Sequence, residues 1–284
     1  MAVARHETGV VGAGKALASQ VHPVFMLPPL ATSLFGAVLA GPVDLTVAGI
    51  HALAMFFAVY TAHVKDGYVD FHVRGEDDDH PLTVGGCHGA LVAAAAGFLG
   101  CTVALWLLVS PAAALVTAPT WLIGYTHAPQ LDLNPVGATM GYPAGIALAL
   151  LGGYYAQATA LDPQVLALAG VFLLLLTGIK IIDDETDYDY DSSIDKRTVA
   201  VVLGPRRARG LALALLAVAM AGVVALAALL PGIPPTAAGA ALAFGAVLTV
   251  AYRAEATLAT MLLIRGSYLF LAVLVAAVWF RPLS

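Results

Sequence analysis

Apolar runs long enough to cross a bilayer follow one another along almost the whole chain. Run length and periodicity give about nine of them, at roughly 22–41, 44–64, 86–109, 111–127, 134–157, 163–183, 207–230, 234–252 and 257–280. Hydrocarbon offers no water to backbone amides, so spans of this length must satisfy their own hydrogen bonds, as helices do. Composition agrees: 60% of the 284 residues are hydrophobic and only 11% are charged, against about 25% in soluble domains. The expected fold class is all-α, a polytopic membrane helical bundle of about nine transmembrane helices. A single domain over 1–284 is expected, with 1–20 as an N-terminal cytoplasmic or interfacial segment.

Orientation follows from Lys and Arg, which favour cytoplasmic loops. Arg5 and Lys15 precede the first span, Lys65 and Arg74 follow the second, and Lys180, Lys196, Arg197, Arg206, Arg207 and Arg209 surround the loop after the sixth. Arg253 follows the eighth, whereas the loops after the first, third, fifth and seventh spans hold no Lys or Arg. Arg281 is the exception. The expected location is the plasma membrane, multi-pass, with the longest loops on the cytoplasmic side. The net charge of −5 comes from acids clustered in those loops, which suits metal ions and excludes nucleic acid as a partner. No obligatory protein partner is implied. Cys87 and Cys101 share one expected helix about 21 Å apart along its axis, too far to pair with each other. Gly9-Val10-Val11-Gly12-Ala13-Gly14-Lys15-Ala16 nearly spells a nucleotide phosphate loop. Ala16 stands where a hydroxyl is required and no strand precedes it, so a flexible or interfacial segment is expected instead.

Two acidic clusters sit at span ends: Asp66-Gly67-Tyr68-Val69-Asp70, and the run from Asp183 through Asp184, Glu185, Asp187, Asp189 and Asp191 to Asp195. Asp183, Asp187, Asp191 and Asp195 recur every fourth residue. On a helix that spacing keeps neighbours near one face, drifting roughly 40° per step. Stacked like charges repel, and Mg²⁺ bridging to a diphosphate is the candidate that offsets them. Lys196, Arg197 and Thr198 follow at once, supplying the cations and hydroxyl that phosphate oxygens need. His80-Pro81-Leu82-Thr83 and Lys196-Arg197-Thr198-Val199 form a weak internal echo, consistent with two similar helix bundles.

Residues 187–204 resemble the second signature of UbiA-type intramembrane prenyltransferases, D-x-x-x-D-x-x-x-G-K-R-T-L-x-V-x-L-G. Asp187, Asp191, Lys196, Arg197, Thr198, Leu203 and Gly204 match it, and Asp195 replaces its Gly. The first signature, N-D-x-x-D-x-x-x-D, is met by Asp66 and Asp70, while Ala62 and His63 stand at its Asn and first Asp. Tyr125-Thr126-His127-Ala128-Pro129-Gln130-Leu131 and the Gly-rich stretch after it look nearest the branch that prenylates dihydroxynaphthoate for menaquinone. Gln130 stands where that branch carries a base. The resemblance covers nearly the whole chain.

The resemblance implies helices around a central cavity with helical cytoplasmic loops, and a cytoplasmic active site. It implies transfer of an isoprenoid chain from a prenyl diphosphate to a lipophilic acceptor, an aromatic quinone precursor first. The alternatives are an isoprenoid glycerol phosphate or a carotenoid. Mg²⁺ is the implied cofactor, membrane lipid the surroundings. Asp66, Asp70, Asp183, Asp187 and Asp191 become the catalytic and metal-binding set. Lys196, Arg197, Arg74 and Thr198 become diphosphate ligands, and Tyr125 an acceptor contact. His63 is either a replacement ligand or a helix-end histidine, and Asp77, Asp78 and Asp79 are read as solvated. Within spans, Arg265 faces a cavity or a structural partner and His51 makes a structural hydrogen bond. Competing readings are a divalent-cation transporter, a CDP-alcohol phosphotransferase and a catalytically inactive relative.

Overall fold

A computed structural model of the chain describes residues 2–194 and 196–281. The helices are α1 (Gly9–Ala18), α2 (Pro23–Leu39), α3 (Leu45–Gly67), α4 (Val84–Leu108), α5 (Pro111–Thr126), α6 (Pro135–Ala158), α7 (Pro163–Thr186), α8 (Tyr188–Ser193), α9 (Val199–Leu203), α10 (Pro205–Leu229), α11 (Ala238–Ala251) and α12 (Ala256–Phe280). Local chemistry starts them. α2, α5, α6, α7 and α10 open on a proline, where a missing N–H costs nothing. Asp44, Ser110, Asn134 and Asp162 cap α3, α5, α6 and α7, their side chains accepting from first-turn amides. Thr83 and Thr198 cap α4 and α9 in the same way, so the echo noted above marks two equivalent helix starts.

Each expected apolar run coincides with a helix, but the count of nine spans is not reached by length and composition. Six helices are long and apolar enough to cross a bilayer among the described residues, or seven if the pair α1–α2, bent by 66°, is one span. α5 has 16 residues, and Pro235–Ala251 is a shorter apolar helix. The near phosphate loop at the N-terminus is the helix α1. Its preceding strand-like residue Ala4 bridges Leu82, and Tyr60 Oη donates to Leu17 O at 2.9 Å.

The long helices pack in a ring: α2 on α3, α3 on α4 and α5, α5 on α6, α6 on α7, α7 on α10, α10 on α11, α11 on α12, and α12 back on α2. Phe35, Phe172, Phe270 and Phe244 join α2, α7, α12 and α11 edge to face, with ring centroids 5.6–6.5 Å apart. Leu107, Leu115, Leu229, Leu242 and Phe280 lie on the outside, the pattern of a lipid-facing surface. On one side of the ring α2 and α6 touch backbone to backbone. A Cβ on Gly36 would fall on the Leu150 carbonyl oxygen, and one on Gly153 on that of Ser33. Small residues permit such approach where no hydrophobic effect drives helices together. His51 is buried between them, its Nδ1 2.7 Å from Ser33 Oγ.

Gly153→Val is expected to force α2 from α6 and lower stability by about 2 kcal/mol, the scale of overpacking. A fall in thermal unfolding temperature in detergent, compared with a valine placed at Gly100, where nothing lies within 4 Å of the added Cβ, checks it.

Candidate active site

The ring encloses a cavity of about 720 Å³, bordered by α2, α3, α5, α6, α7 and the loops at one end. Along α3 its wall runs from Met55 through Ala58, Val59 and Ala62 to Asp66 and Asp70. That is about 22 Å of helix, apolar at one end and charged at the other. Phe25, Pro29, Ile123 and Ile146 complete the apolar part.

The charged end is assembled from distant pieces of chain. After Gly67 the α3 backbone widens into a π-helical turn, Tyr68–Arg74, ended by Gly75 at φ 67°. It carries Asp70 and Arg74 on toward the loop before α6. There Arg74 Nη2 donates to Asp132 Oδ2 at 3.1 Å and lies 3.5 Å, through Nη1, from Asp70 Oδ1. Its Nε is 3.6 Å from Glu76 Oε1. From α7, Lys180 Nζ reaches Asp183 Oδ2 at 2.9 Å and Asp184 Oδ1 at 2.6 Å. Asp184 is 1% exposed and also accepts from Thr139 Oγ1 of α6 at 3.2 Å. Thr139 Oγ1 in turn accepts from Val199 N of α9 at 3.2 Å, so one carboxylate locks three helices together.

The structure brings Asp66, Asp70, Arg74, Asp183 and Lys196 onto this single cavity. Asp187 and Asp191 are not among the described residues that line it. α7 stops at Thr186, and Asp187 (φ −101°, ψ 10°) breaks the helix before α8. The four-residue acidic period therefore does not run along one continuous face. Asp187 is exposed, while Asp191 is buried with Lys196 Nζ 3.4 Å from its Oδ1. Burial pushes the Asp191 carboxyl above the usual carboxylate range, with Lys196 opposing the rise. Asp195 lies outside the described residues.

Other expected contacts fall elsewhere. Thr198 is fully buried and spends its hydroxyl on the α9 cap, accepting from Val201 N at 3.3 Å. Arg197 is exposed, and its backbone N donates to Asp132 O at 3.0 Å. Tyr125 stacks on Trp121 at 5.2 Å under the Lys65 ammonium, while Gly124 and His127 face the cavity from the same stretch. Arg265 is exposed on α12. His63 lines the cavity against the His22 ring, 4.8 Å away. Asp77 borders the cavity and Asp79 pairs with Arg5 at 2.9 Å. Lys180, Asp184 and Asp132 were not among the residues expected to build the site. The signal for the first two was a lone lysine three and four residues before two aspartates.

Electrostatics define what this end accepts. Among the described residues lining it, Asp66, Asp70, Glu76, Asp77, Asp132 and Asp183 outnumber Arg74, Lys180 and Lys196. Asp66 makes no hydrogen bond or salt bridge among the described residues, and the buried Asp191 Oδ2 is likewise unpartnered. Hard oxygen donors in excess of cations fit Mg²⁺.

The family model for the UbiA prenyltransferase family matches residues 29–272. No curated protein matches the chain. Among solved structures, a UbiA homolog from Aeropyrum pernix K1 is 20% identical with a TM-score of 0.70, over 90% of this chain and 98% of that one. A digeranylgeranylglyceryl phosphate synthase is 14% identical with a TM-score of 0.72, over 94% and 99%. A UbiA homolog from Archaeoglobus fulgidus, bound to DMAPP and Mg²⁺, is 18% identical with a TM-score of 0.67, also over 94% and 99%. At these identities the likeness is one of fold.

Removing one member of a buried ion pair strands the other. Lys180→Met leaves Asp184 buried without its cation and is expected to cost about 3 kcal/mol, the lower end for broken buried pairs. Lys180→Met with Asp184→Asn is expected to recover much of that loss. Thermal unfolding of the two variants in detergent distinguishes this from simple loss of side-chain packing.

Proposed function

The chain belongs to the UbiA prenyltransferase family and is a multi-pass membrane prenyltransferase; on that footing we propose that it transfers an isoprenoid chain from a prenyl diphosphate to an aromatic quinone precursor. The observation that carries the reading is the one cavity with a charged mouth and an apolar body. A prenyl diphosphate has the same two halves. The DMAPP- and Mg²⁺-bound homolog of the same fold supports it.

In this proposal Asp66, Asp70 and Asp183 hold Mg²⁺, with Asp187 and Asp191 supplying the remaining carboxylates of the second signature. Bound Mg²⁺ neutralises charge on a diphosphate leaving group as a Lewis acid. Arg74 and Lys196 donate charge-assisted hydrogen bonds to the diphosphate oxygens, and Lys180 adds positive potential from α7. As the C1–O bond breaks, these cations are already in place for the charge that develops. The wall from Met55 to Ala62 holds the hydrocarbon tail and keeps water from the allylic carbon. An electron-rich ring carbon of the acceptor then attacks that carbon, and the ring proton leaves to the polar end, where His63 and His127 stand.

The acceptor preference rests on charge. Each cation lining the cavity already has a carboxylate partner: Arg74 with Asp70, Lys180 with Asp183, and Lys196 with Asp191. With all three also turned to the diphosphate, no further lysine or arginine lines the cavity among the described residues for a second phosphate, which disfavours an isoprenoid glycerol phosphate. The synthase with which the chain shares its fold keeps that acceptor as the second reading. The clustering of Arg5, Arg74, Lys196 and Arg209 with the acidic loops at one end supports a cytoplasmic active site in the plasma membrane. A divalent-cation transporter or a CDP-alcohol phosphotransferase does not share this family, and an inactive relative is met by the assay below.

Purified protein given Mg²⁺, geranylgeranyl diphosphate and either an aromatic acid acceptor or geranylgeranylglyceryl phosphate is expected to yield prenylated aromatic product by mass spectrometry. Chelation should abolish it and added Mg²⁺ restore it. Asp66→Asn and Asp183→Asn are expected to lower kcat by on the order of 10²–10³-fold, the scale for removing one preorganised charge-stabilising group. Full activity in both would overturn the residue assignment; product from the glycerol phosphate alone would overturn the acceptor.

A further inference from the structure

His72, His80 and Cys87 come from three separate pieces of chain: the π-helical end of α3, the loop after it, and the first turns of α4. One ligating atom of each lies within 4.8 Å of those of the other two. His80 and Cys87 are buried and His72 is half-buried. Only His80 also borders the large cavity. The backbone of Leu82 occupies one ring nitrogen of each histidine. His72 Nε2 lies 3.0 Å from Leu82 O, and His80 Nδ1 lies 3.2 Å from both Leu82 O and Leu82 N. A hydrogen bond on one ring nitrogen is the usual support for a histidine that binds a metal through the other. His80 Nε2 is buried with no hydrogen-bond partner among the described residues, at 4% exposure for the residue. Cys87 is a free thiol.

We propose that His72, His80 and Cys87 form a second cation site, taking Zn²⁺ and separate from the carboxylates. A thiolate with two imidazoles is a donor set that zinc accepts, with a fourth position left for solvent. Mg²⁺ prefers hard oxygen ligands and does not compete for it. On binding, the Cys87 Sγ–H proton passes to solvent and the thiolate sulfur becomes the ligand. The ion would staple the π-helical turn to the start of α4. The loop between them, with Glu76 and Asp77 at the cavity edge, would then be held from both ends. The site acts on architecture and takes no part in prenyl transfer, so its failure would leave the proposed function standing.

Co²⁺ reports the site directly. Full-length protein in detergent, with excess Mg²⁺ to fill the carboxylates, is titrated with Co²⁺. The expected result is a sulfur-to-cobalt charge-transfer band that saturates at a single equivalent and is displaced by Zn²⁺. Cys87→Ser is expected to abolish the band, and His80→Gln to weaken Co²⁺ binding at least about tenfold. Cys101→Ser, on the same helix, is expected to leave both unchanged. Absence of a thiolate band in the unmodified protein would overturn the proposal whatever the variants do. So would a band that survives Cys87→Ser or disappears with Cys101→Ser.

Discussion

The cost of placing carboxylates at the edge of hydrocarbon organises this molecule. A buried ion is tolerated only when partners replace the water it has lost. Here the partners arrive from other helices. Asp184 of α7 takes Lys180 from its own helix and Thr139 from α6. Asp132, before α6, takes Arg74 from the end of α3. Asp191 of α8 faces Lys196 of the following loop. These pairs fix the backbone of the charged mouth, leaving Asp66 and Asp77 as lining carboxylates without a direct partner among the described residues. The mouth is held open by pairs on its rim and remains net negative inside.

Much of the fold was legible in the sequence because each rule involved was local. Apolar runs marked the helices, and prolines or short polar caps marked their starts. Lengths were less legible. α11 is shorter than its run of 234–252 suggests, because a 3-10 turn at Pro235–Ala237 takes up the start of that run. Asp66, Asp70 and Asp183 stood out by their clustering, and all three line the cavity. The break at Asp187 was not legible, since an acidic run with helical spacing gives no sign that the helix stops beneath it. Thr198 shows the same limit. A hydroxyl beside two cations suits phosphate, yet it is equally a helix cap, and in the fold it is buried and caps α9. Asp132 stood alone in a loop, and only the fold reveals that Arg74, 58 residues away, comes to it.

Packing and site are coupled through small residues. Gly36, Gly152 and Gly153 let α2, α3 and α6 approach until backbone, Ser33 and His51 meet. The cavity lies against two of these helices, bordered by Phe25 and Pro29 of α2 and by Gly141 and Gly145 of α6. The polar contact of His51 lies within this tight seam, which accounts for a buried imidazole in an apolar span without giving it chemistry.

The widened turn at Tyr68–Arg74 has an evolutionary consequence. A π-turn is in effect an α-helix with one surplus residue. Losing a single residue between Gly67 and Arg74 would return the turn to regular winding, and the residues within it would take new angular positions about the axis. Asp70 and Arg74 would no longer be offset by the wide turn from which Arg74 now meets both Asp70 and Asp132. Substitutions in this stretch can be absorbed one at a time; a shortening cannot. Across natural variants of this sequence, the number of residues from Gly67 to Gly75 should therefore drift far less than their identities.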